Sequence, residues 1–383
     1  MAAGQAFVGL AANASLVVRP PDGQPVMIDG VDFARLVATV QTLQSQVSSL
    51  AAQLQRQTCR PVADTRTVAV SLYAADSNWY GAVLARNGKI YGMPIHASAV
   101  LVIDPATNTV DSTTISGFPG AAQWFGGVLA DNGNIYGLPF GSNAVLILNP
   151  ATNATDITSI AGLTPAGGWY GGVLGADGKV YGMPYGSTSV LIIDPTANTA
   201  DTTTITGLPG SNKWQGGVRA GNDKIYGMPH DSQSVLILDP ATKTADTSTI
   251  AGLSKDQYKW SGGVLARNGL IYGIPHSAQS VLIINPDTNT ADTSTISGLG
   301  EGGKWLGGVL AGDGRIYGIP YGAASVLIID PVTNTADITT ITVGQLGGPP
   351  KWADGALAAN GQIYGIPHST GSALIIKRDC ERL

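Results

Sequence analysis

Two hydrophobic rhythms divide this chain. Phe33, Leu36, Val40, Leu43, Val47, Leu50 and Leu54 follow one another at alternating steps of three and four residues. That spacing puts them on one stripe of an α-helix and predicts a heptad seam over residues 33–54. Asp29 or Asp32 supplies its N-cap, because a short carboxylate accepts the free amides of a first helical turn. Beyond residue 58 the apolar residues fall into short runs broken by Gly, Pro, Asn and Asp, the pattern of strands and turns.

The strand region repeats. A Trp opens each unit, at Trp79, Trp124, Trp169, Trp214, Trp260, Trp305 and Trp352, in steps of 45 to 47 residues. Every unit carries four β-type runs. The first is Trp-x-Gly-Gly-Val-Leu-Ala. A two-residue Asn-Gly or Asp-Gly turn follows, expected to hold positive φ at both positions. The second run is Lys-Ile-Tyr-Gly-x-Pro and the third Ser-Val-Leu-Ile-Ile-Asp-Pro. After a Thr-Asn-Thr corner comes the fourth, Ala-Asp-Thr-Thr-Thr-Ile. Four strands in each such unit, repeated radially, describe a propeller blade.

The seventh unit starts at Trp352 and stops after Ile376, short of a fourth strand. Ala63–Val68 matches the fourth strand of the other units, as at Ala200–Ile205. Asp64, Asp111, Asp156, Asp201, Asp246, Asp292 and Asp337 head seven fourth strands only if residue 64 is counted. The predicted fold class is therefore all-β: a seven-bladed β-propeller of four-stranded antiparallel blades, closed by an N-terminal strand and preceded by a short α-helical coiled coil. Three regions result. Residues 1–31 form an N-terminal segment, a small hairpin or an attachment peptide, with two extended runs around Pro21-Asp22-Gly23. Residues 32–57 form the helix and 58–383 the propeller.

The outer faces of the helix are Gln, Ser, Thr and Ala, so a partner must stabilise it. Self-association through residues 33–54 is the expected answer, and docking on its own propeller the competing one. Val40 and Val47 at one seam position with Leu36, Leu43 and Leu50 at the other favour a dimer. Val37 and Ala51 widen the stripe and keep a trimer open.

Charged residues make up 12% of the chain, half the usual share, and the net charge of −5 leaves no basic footprint for nucleic acid. No apolar run is long enough to span a membrane. The start, Met1-Ala-Ala-Gly-Gln5, has no basic n-region, so no ordinary signal peptide is visible. The repeat alignment brings Cys59 and Cys380 to one corner, between the third and fourth strands of blade seven, and predicts a disulfide. Such a bond points to an extracellular, cell-surface or virion location; the missing leader points the other way.

At Asn87-Gly-Lys-Ile-Tyr91 and Asp104-Pro-Ala-Thr-Asn-Thr109 the unit resembles kelch and YVTN/NHL-type propeller repeats. It departs from kelch in having Gly-x-Pro where those repeats have Gly-Gly. The resemblance implies the fold, and with it roles ranging over adhesion, interaction scaffolds, sugar binding and occasional hydrolase or lyase activity.

In such a wheel the residues just after each second-strand Pro share a face: Ile95, Phe140, Tyr185, His230, His276, Tyr321 and His368, with His96 beside the first. The residues just before each Trp join them: Asn78, Gln123, Gly168, Lys213, Lys259, Lys304 and Lys351. Phe140, Tyr185, His230, His276, Tyr321, His368 and the four Lys are the candidate ligand-binding set, because stacking area beside hydrogen-bond donors suits a glycan or a protein ligand. Loop packing is the bland account of the same residues. No metal is expected, since the His residues lack Asp or Cys partners at ligand spacing. No catalytic residue is assigned: there is no Gly-x-Ser-x-Gly elbow, and no paired carboxylates lie on that face. No cofactor is called for. Arg219, Asp231 and Asp354 depart from the repeat and are read as scattered variation. The seven Trp are expected to pack between blades.

The expectation is a non-enzymatic binding or structural module: an adhesin, lectin-like or fibre-type head, presented multivalently on a coiled-coil stalk. The alternatives are a propeller enzyme, lyase or lactonase-like, using the open-face His residues, and an intracellular protein-interaction scaffold.

Overall fold

The computed structural model describes residues 7–10, 16–19, 27–28, 31–32, 37–47, 59–72, 77–120, 123–164, 168–344 and 350–380. It divides into two compact units, Met1–Cys59 and Arg60–Leu383.

In the first unit Phe7–Leu10 pairs with Leu16–Arg19, and Met27–Ile28 with Val31–Asp32, all antiparallel. The two extended runs flanking Pro21-Asp22-Gly23 thus each pair with a segment on their far side. A helix covers residues 37–47. Its side chains are exposed, including Val40, Leu43 and Val47 of the predicted seam. The remaining seam positions Phe33, Leu36, Leu50 and Leu54 lie outside the described residues.

The second unit is a seven-bladed β-propeller of four-stranded antiparallel sheets. In blade two the strands are Trp124–Leu129, Ile135–Pro139, Leu146–Asn149 and Ala154–Asp156, in that order from the axis outward. The seventh sheet contains Trp352–Leu357, Ile363–Pro367, Leu374–Cys380 and, as its fourth strand, Cys59–Asp64. Beyond Asp64 the chain keeps to the same blade, where Ala373 N donates to Val68 O at 2.9 Å and Val70 N to Gly371 O at 2.8 Å. The predicted Cys59–Cys380 bond rests on side chains outside the described residues.

The core lies between blades, which explains why the second strands are buried along their whole length. Val83, Tyr91 and Val102 of blade one, for example, pack with Trp124, Ile135, Leu146 and Leu148 of blade two. A sheet covered on both faces needs apolar residues on both, hence the continuous Val-Leu-Ile-Ile runs. Each Trp is buried at the start of an inner strand and donates Nε1–H to a backbone carbonyl 20 residues on, as Trp124 does to Ala144 O at 2.8 Å and Trp352 to Ser372 O at 2.8 Å. The indole fills the gap between sheets and its one polar atom is satisfied, as a buried Trp requires. The packing role expected for the seven Trp is the one observed.

Two local expectations need correction. The Asn-Gly segment is not a two-residue turn. Ala85 N bonds to Lys89 O at 2.9 Å, which leaves Arg86, Asn87 and Gly88 in the loop. Only Gly88 has positive φ, 79°, because the Asn87 side chain instead accepts the Lys89 amide at 3.1 Å. A three-residue loop with Gly at its left-handed position is the next commonest hairpin link. Secondly, the repeated Asp close the fourth strands rather than head them, as at Thr244–Asp246. The Asp246 carboxylate accepts the Ser248 amide at 2.7 Å and the Thr249 amide at 3.1 Å, which turns the chain out of the sheet.

Candidate ligand-binding face

Antiparallel strands put the loops between strands two and three at the same end of the wheel as the start of each inner strand, where every Trp pairs with the Pro of strand two. The residue after that Pro is therefore carried to one face in every blade. Its backbone is anchored to the preceding link: His230 N donates to Lys213 O at 2.9 Å, His276 N to Lys259 O at 2.8 Å and His368 N to Lys351 O at 2.8 Å.

These residues form a continuous belt. Ring centroids are separated by 5.9 Å from Phe140 to Tyr185, 5.4 Å from Tyr185 to His230, 6.2 Å from His230 to His276, 5.7 Å from His276 to Tyr321 and 5.2 Å from Tyr321 to His368. Most pairs are tilted and the last is edge-on, as ring quadrupoles prefer. Phe140, Tyr185, His276 and Tyr321 are half-buried; His230, His368 and Ile95 are buried. His96 stands apart from the belt and holds Ser77 O through Nδ1 at 3.0 Å.

The four lysines behave differently from pendant donors. Lys213 Nζ donates to Ser187 O at 2.9 Å, Tyr185 O at 3.2 Å and Gly210 O at 2.6 Å. Lys259 Nζ reaches Asp256 O at 2.8 Å, Lys304 Nζ reaches Ala278 O at 3.0 Å and Gly302 O at 3.2 Å, and Lys351 Nζ reaches Ala323 O at 3.0 Å. Each ammonium is turned onto loop carbonyls of the protein, more than one for Lys213 and Lys304. Burial pushes Lys213 and Lys304 down to about 8 and lowers Lys259 and Lys351 as well.

Two of the belt imidazoles, His230 and His276, are held in the neutral form. Burial, then the neighbouring His230, pushes His276 down to about 4. Burial also lowers His230, against the pull of Asp231, whose Oδ1 lies 3.1 Å from His230 Nδ1. The face thus offers uncharged rings and few free charges.

Several residues that build this face carry no signal on their own. The second position of each inner strand is variable, and the structure gathers those side chains at the mouth of the axis. Tyr80, Phe125 and Tyr170 pack together, with Tyr80 and Tyr170 edge-on at 5.0 Å. Gln215 Nε2 donates to Tyr80 Oη at 3.1 Å from another blade, so the mouth is plugged. Phe125 also stacks on Phe140 at 4.4 Å, which joins plug to belt.

Tyr258 is the other addition. It sits two residues before Trp260 with φ of 57°, a left-handed conformation that a bulky residue rarely adopts. Asp231 Oδ1 accepts the Tyr258 amide at 2.7 Å and holds it there. The Tyr258 ring stands edge-on to His230 at 5.0 Å, lies 6.4 Å from His276 and is 44% exposed. The available signal was the pair of departures from the repeat: Asp231 and Tyr258 replace the small or turn-forming residues of other blades. Arg219, a third departure, is an exposed residue at the far end of its strand. Among the described residues no three His, Cys, Asp or Glu side chains converge on a metal position.

No protein-family model matches the chain, and no curated protein matches it in sequence. Solved structures resemble it in fold. A streptogramin B lyase is 12% identical with a TM-score of 0.66, covering 84% of this chain and 98% of that one. A catalytically inactive virginiamycin B lyase from Staphylococcus aureus, solved with quinupristin, is 10% identical with a TM-score of 0.64, covering 83% and 99%. The extracellular domain of a putative hybrid two component system from B. thetaiotaomicron is 11% identical with a TM-score of 0.58, covering 80% and 41%. At such identities the likeness is one of architecture, which hosts enzymes and sensor domains alike. Among the described residues no helix is long and apolar enough to cross a membrane.

Proposed function

We propose that this protein is a non-enzymatic binding module whose belt-bearing face takes an uncharged glycan. The observation that carries the reading is the unbroken run of rings from Phe140 to His368, topped by the exposed Tyr258. Sugars bind by stacking an apolar ring face on an aromatic one, with polar groups at the edge. Neutral imidazoles and inward-turned ammonium groups favour a neutral ligand over an anion. Phe140, Tyr185, His276, Tyr321 and Tyr258 are the rings a ligand reaches; His230 and His368 support them.

The helix over 37–47 belongs to the same proposal. Val40, Leu43 and Val47 are 44%, 53% and 65% exposed, a stripe that a second or third copy of the chain covers as a coiled coil. Several heads on one stalk turn weak sites into tight ones through effective concentration. The strand Cys59–Asp64 then acts as the latch that closes the ring, with a Cys59–Cys380 disulfide reinforcing it in an extracellular, cell-surface or virion setting. The extracellular domain among the fold neighbours agrees with such a compartment.

A glycan array probed with the native oligomer tests this. Binding is expected for the native protein, with a marked loss in the His230→Ala/His276→Ala double variant and in Tyr258→Gly. A blank array with the native protein, or glycan signal indifferent to all these changes, sinks the reading. Signal on a peptide array instead identifies a protein ligand.

A further inference from the structure

The wheel is built around a near-perfect ring of glycine, and one blade breaks it. The third residue of each inner strand is Gly81, Gly126, Gly171, Gly216, Gly262 or Gly307, and in blade seven Asp354. All seven have positive φ, between 69° and 85°. The register shifts between each Trp and the second Gly, so two residues oppose one and the inner strand bulges toward the axis. Adjacent inner strands come so close that a Cβ on Gly126 would lie 3.3 Å from Gly171 Cα, and one on Gly216 3.1 Å from Gly262 Cα. Glycine fits this position for two reasons, the backbone conformation and the lack of room.

Asp354 violates both requirements. It holds a left-handed φ of 71° and sends its carboxylate over Gly307, where a Cβ would come within 2.4 Å of Oδ1. The carboxylate borders an axial cavity of about 130 Å³ whose wall is mostly glycine backbone, roofed by Tyr80, Tyr170 and Gln215. Its donors are the Gly355 amide at 2.8 Å and the Ala82 amide of the next blade. Among the described residues no Lys, Arg or His pairs with it. A buried charge without a partner costs free energy, and so does an aspartate in a glycine conformation. A strained carboxylate at a cavity, met by two amides but by no cation, is the arrangement expected where a ligand supplies the missing charge.

We infer that the axial cavity is a site for one small hard cation, an alkali or alkaline-earth ion, held by Asp354 and neutral oxygen atoms of the cavity wall. The chemistry of the wall selects this class: peptide carbonyls, two phenols, a carboxamide and one carboxylate are hard oxygen ligands, and no cluster of soft or imidazole ligands is present among the described residues. The cavity has room for an ion with part of its hydration shell, and a quaternary ammonium such as choline cannot be ligated by oxygen atoms as a hard ion is. The site is distinct from the glycan face, although its Tyr170 packs against Tyr185 of the belt at 5.1 Å.

The test is thermal unfolding of the full-length protein in NaCl, KCl or CaCl2, with ionic strength kept constant by choline chloride. The midpoint of the native protein is expected to rise by a few degrees and saturate with at least one ion, as binding to the folded state alone requires. Asp354→Gly restores the seventh glycine. It is expected to have a higher midpoint than the native protein in choline chloride and no dependence on the ion. Asp354→Asn keeps the shape and is expected to lose the ion response too. A native midpoint indifferent to all three ions overturns the inference, as does a glycine variant that responds like the native protein.

Discussion

The two ends of the blades carry equal numbers of loops but differ in how those loops are held. At the hairpin end the second-strand Tyr meets its own turn and, in most blades, the next blade. Asn87 Nδ2 donates to Tyr91 Oη at 2.9 Å and to Pro150 O at 3.0 Å; Tyr226 Oη donates to Asn289 Oδ1 at 2.7 Å and Tyr272 Oη to Asn334 Oδ1 at 2.7 Å. The same contact crosses from blade seven to blade one, where Tyr364 Oη donates to Asn108 Oδ1 at 2.7 Å. At the belt end, equivalent positions hold Phe, Tyr, His or Ile, and the amide two residues before the Trp is held by different side chains, Asp231 Oδ1 at Tyr258 and Ser369 Oγ at Ser77. Recurring hydrogen bonds at one end hold most blades to the next, with Tyr181 and Tyr317 donating instead to Asp177 and Asp313 of their own turns, while side chains at the other end differ from blade to blade.

The comparison is broken most forcefully through the Trp that every blade shares. Trp124→Ala and Trp260→Ala each remove a buried indole from between two sheets, and each is expected to cost about 3–5 kcal/mol. Urea unfolding of both variants checks this. Costs that differ severalfold between the two blades would mean the repeats are not energetically equivalent.

Acid probes the corners next. The Thr249 hydroxyl, then the Ser248 amide, hold the Asp246 carboxyl down to about 2 from its ordinary 3.8, and Asp201 and Asp292 are held to about 2 in the same way. A carboxyl lowered in the folded state stabilises above pH 3.8, and that stability disappears as pH falls toward 2. These groups are partly exposed, so screening limits each to roughly 0.5 kcal/mol, and the repeated corners lose on the order of 3 kcal/mol together. A urea midpoint that stays flat from pH 4 to pH 2 would refute that.

Tyr364→Phe and Tyr226→Phe come third. Each removes the hydroxyl's inter-blade hydrogen bond and the one it accepts from its own turn's Asn, and keeps the ring, for about 1–2 kcal/mol. Equal effects mean the junction between blades seven and one is held like any other. A larger loss at Tyr364 would mark that junction as the weak point of the wheel.

How much of this was legible follows from the same contrast. The seven Trp, the Val-Leu-Ile-Ile runs and the Tyr-Gly-x-Pro segments recur because each does one job in every blade, so period alone revealed blade number and strand count. The belt was legible for the same reason: the position after Pro is set by the fold even when its residue is not. The direction of Lys213 or Lys304 was not legible, because a long side chain chooses between solvent and a carbonyl 26 residues away only once the loops are in place. The meaning of Asp231, Tyr258 and Asp354 was lost for the opposite reason. In one sequence a single departure from a repeat looks like drift. Only its backbone conformation, left-handed at both Tyr258 and Asp354, separates a constrained residue from a neutral one.

Tyr258 gives the smallest effect on stability and the sharpest separation of the two ends. Equivalent positions in blades one and four, Ser77 and Asn212, share its left-handed backbone, with φ of 60° and 53°. Small and amide side chains tolerate that conformation; a Tyr ring does not gain from it. Tyr258→Gly is therefore expected to leave the fold intact and raise its stability by up to about 1 kcal/mol, because relief of strain outweighs the few contacts of a half-exposed ring. The same change is expected to remove most glycan binding. Urea unfolding and the array read the two effects separately. A variant that is both less stable and still binding would return Tyr258 to loop packing. Gain in stability with loss of binding would mean that the protein carries a strained aromatic at this position for what it touches outside the chain.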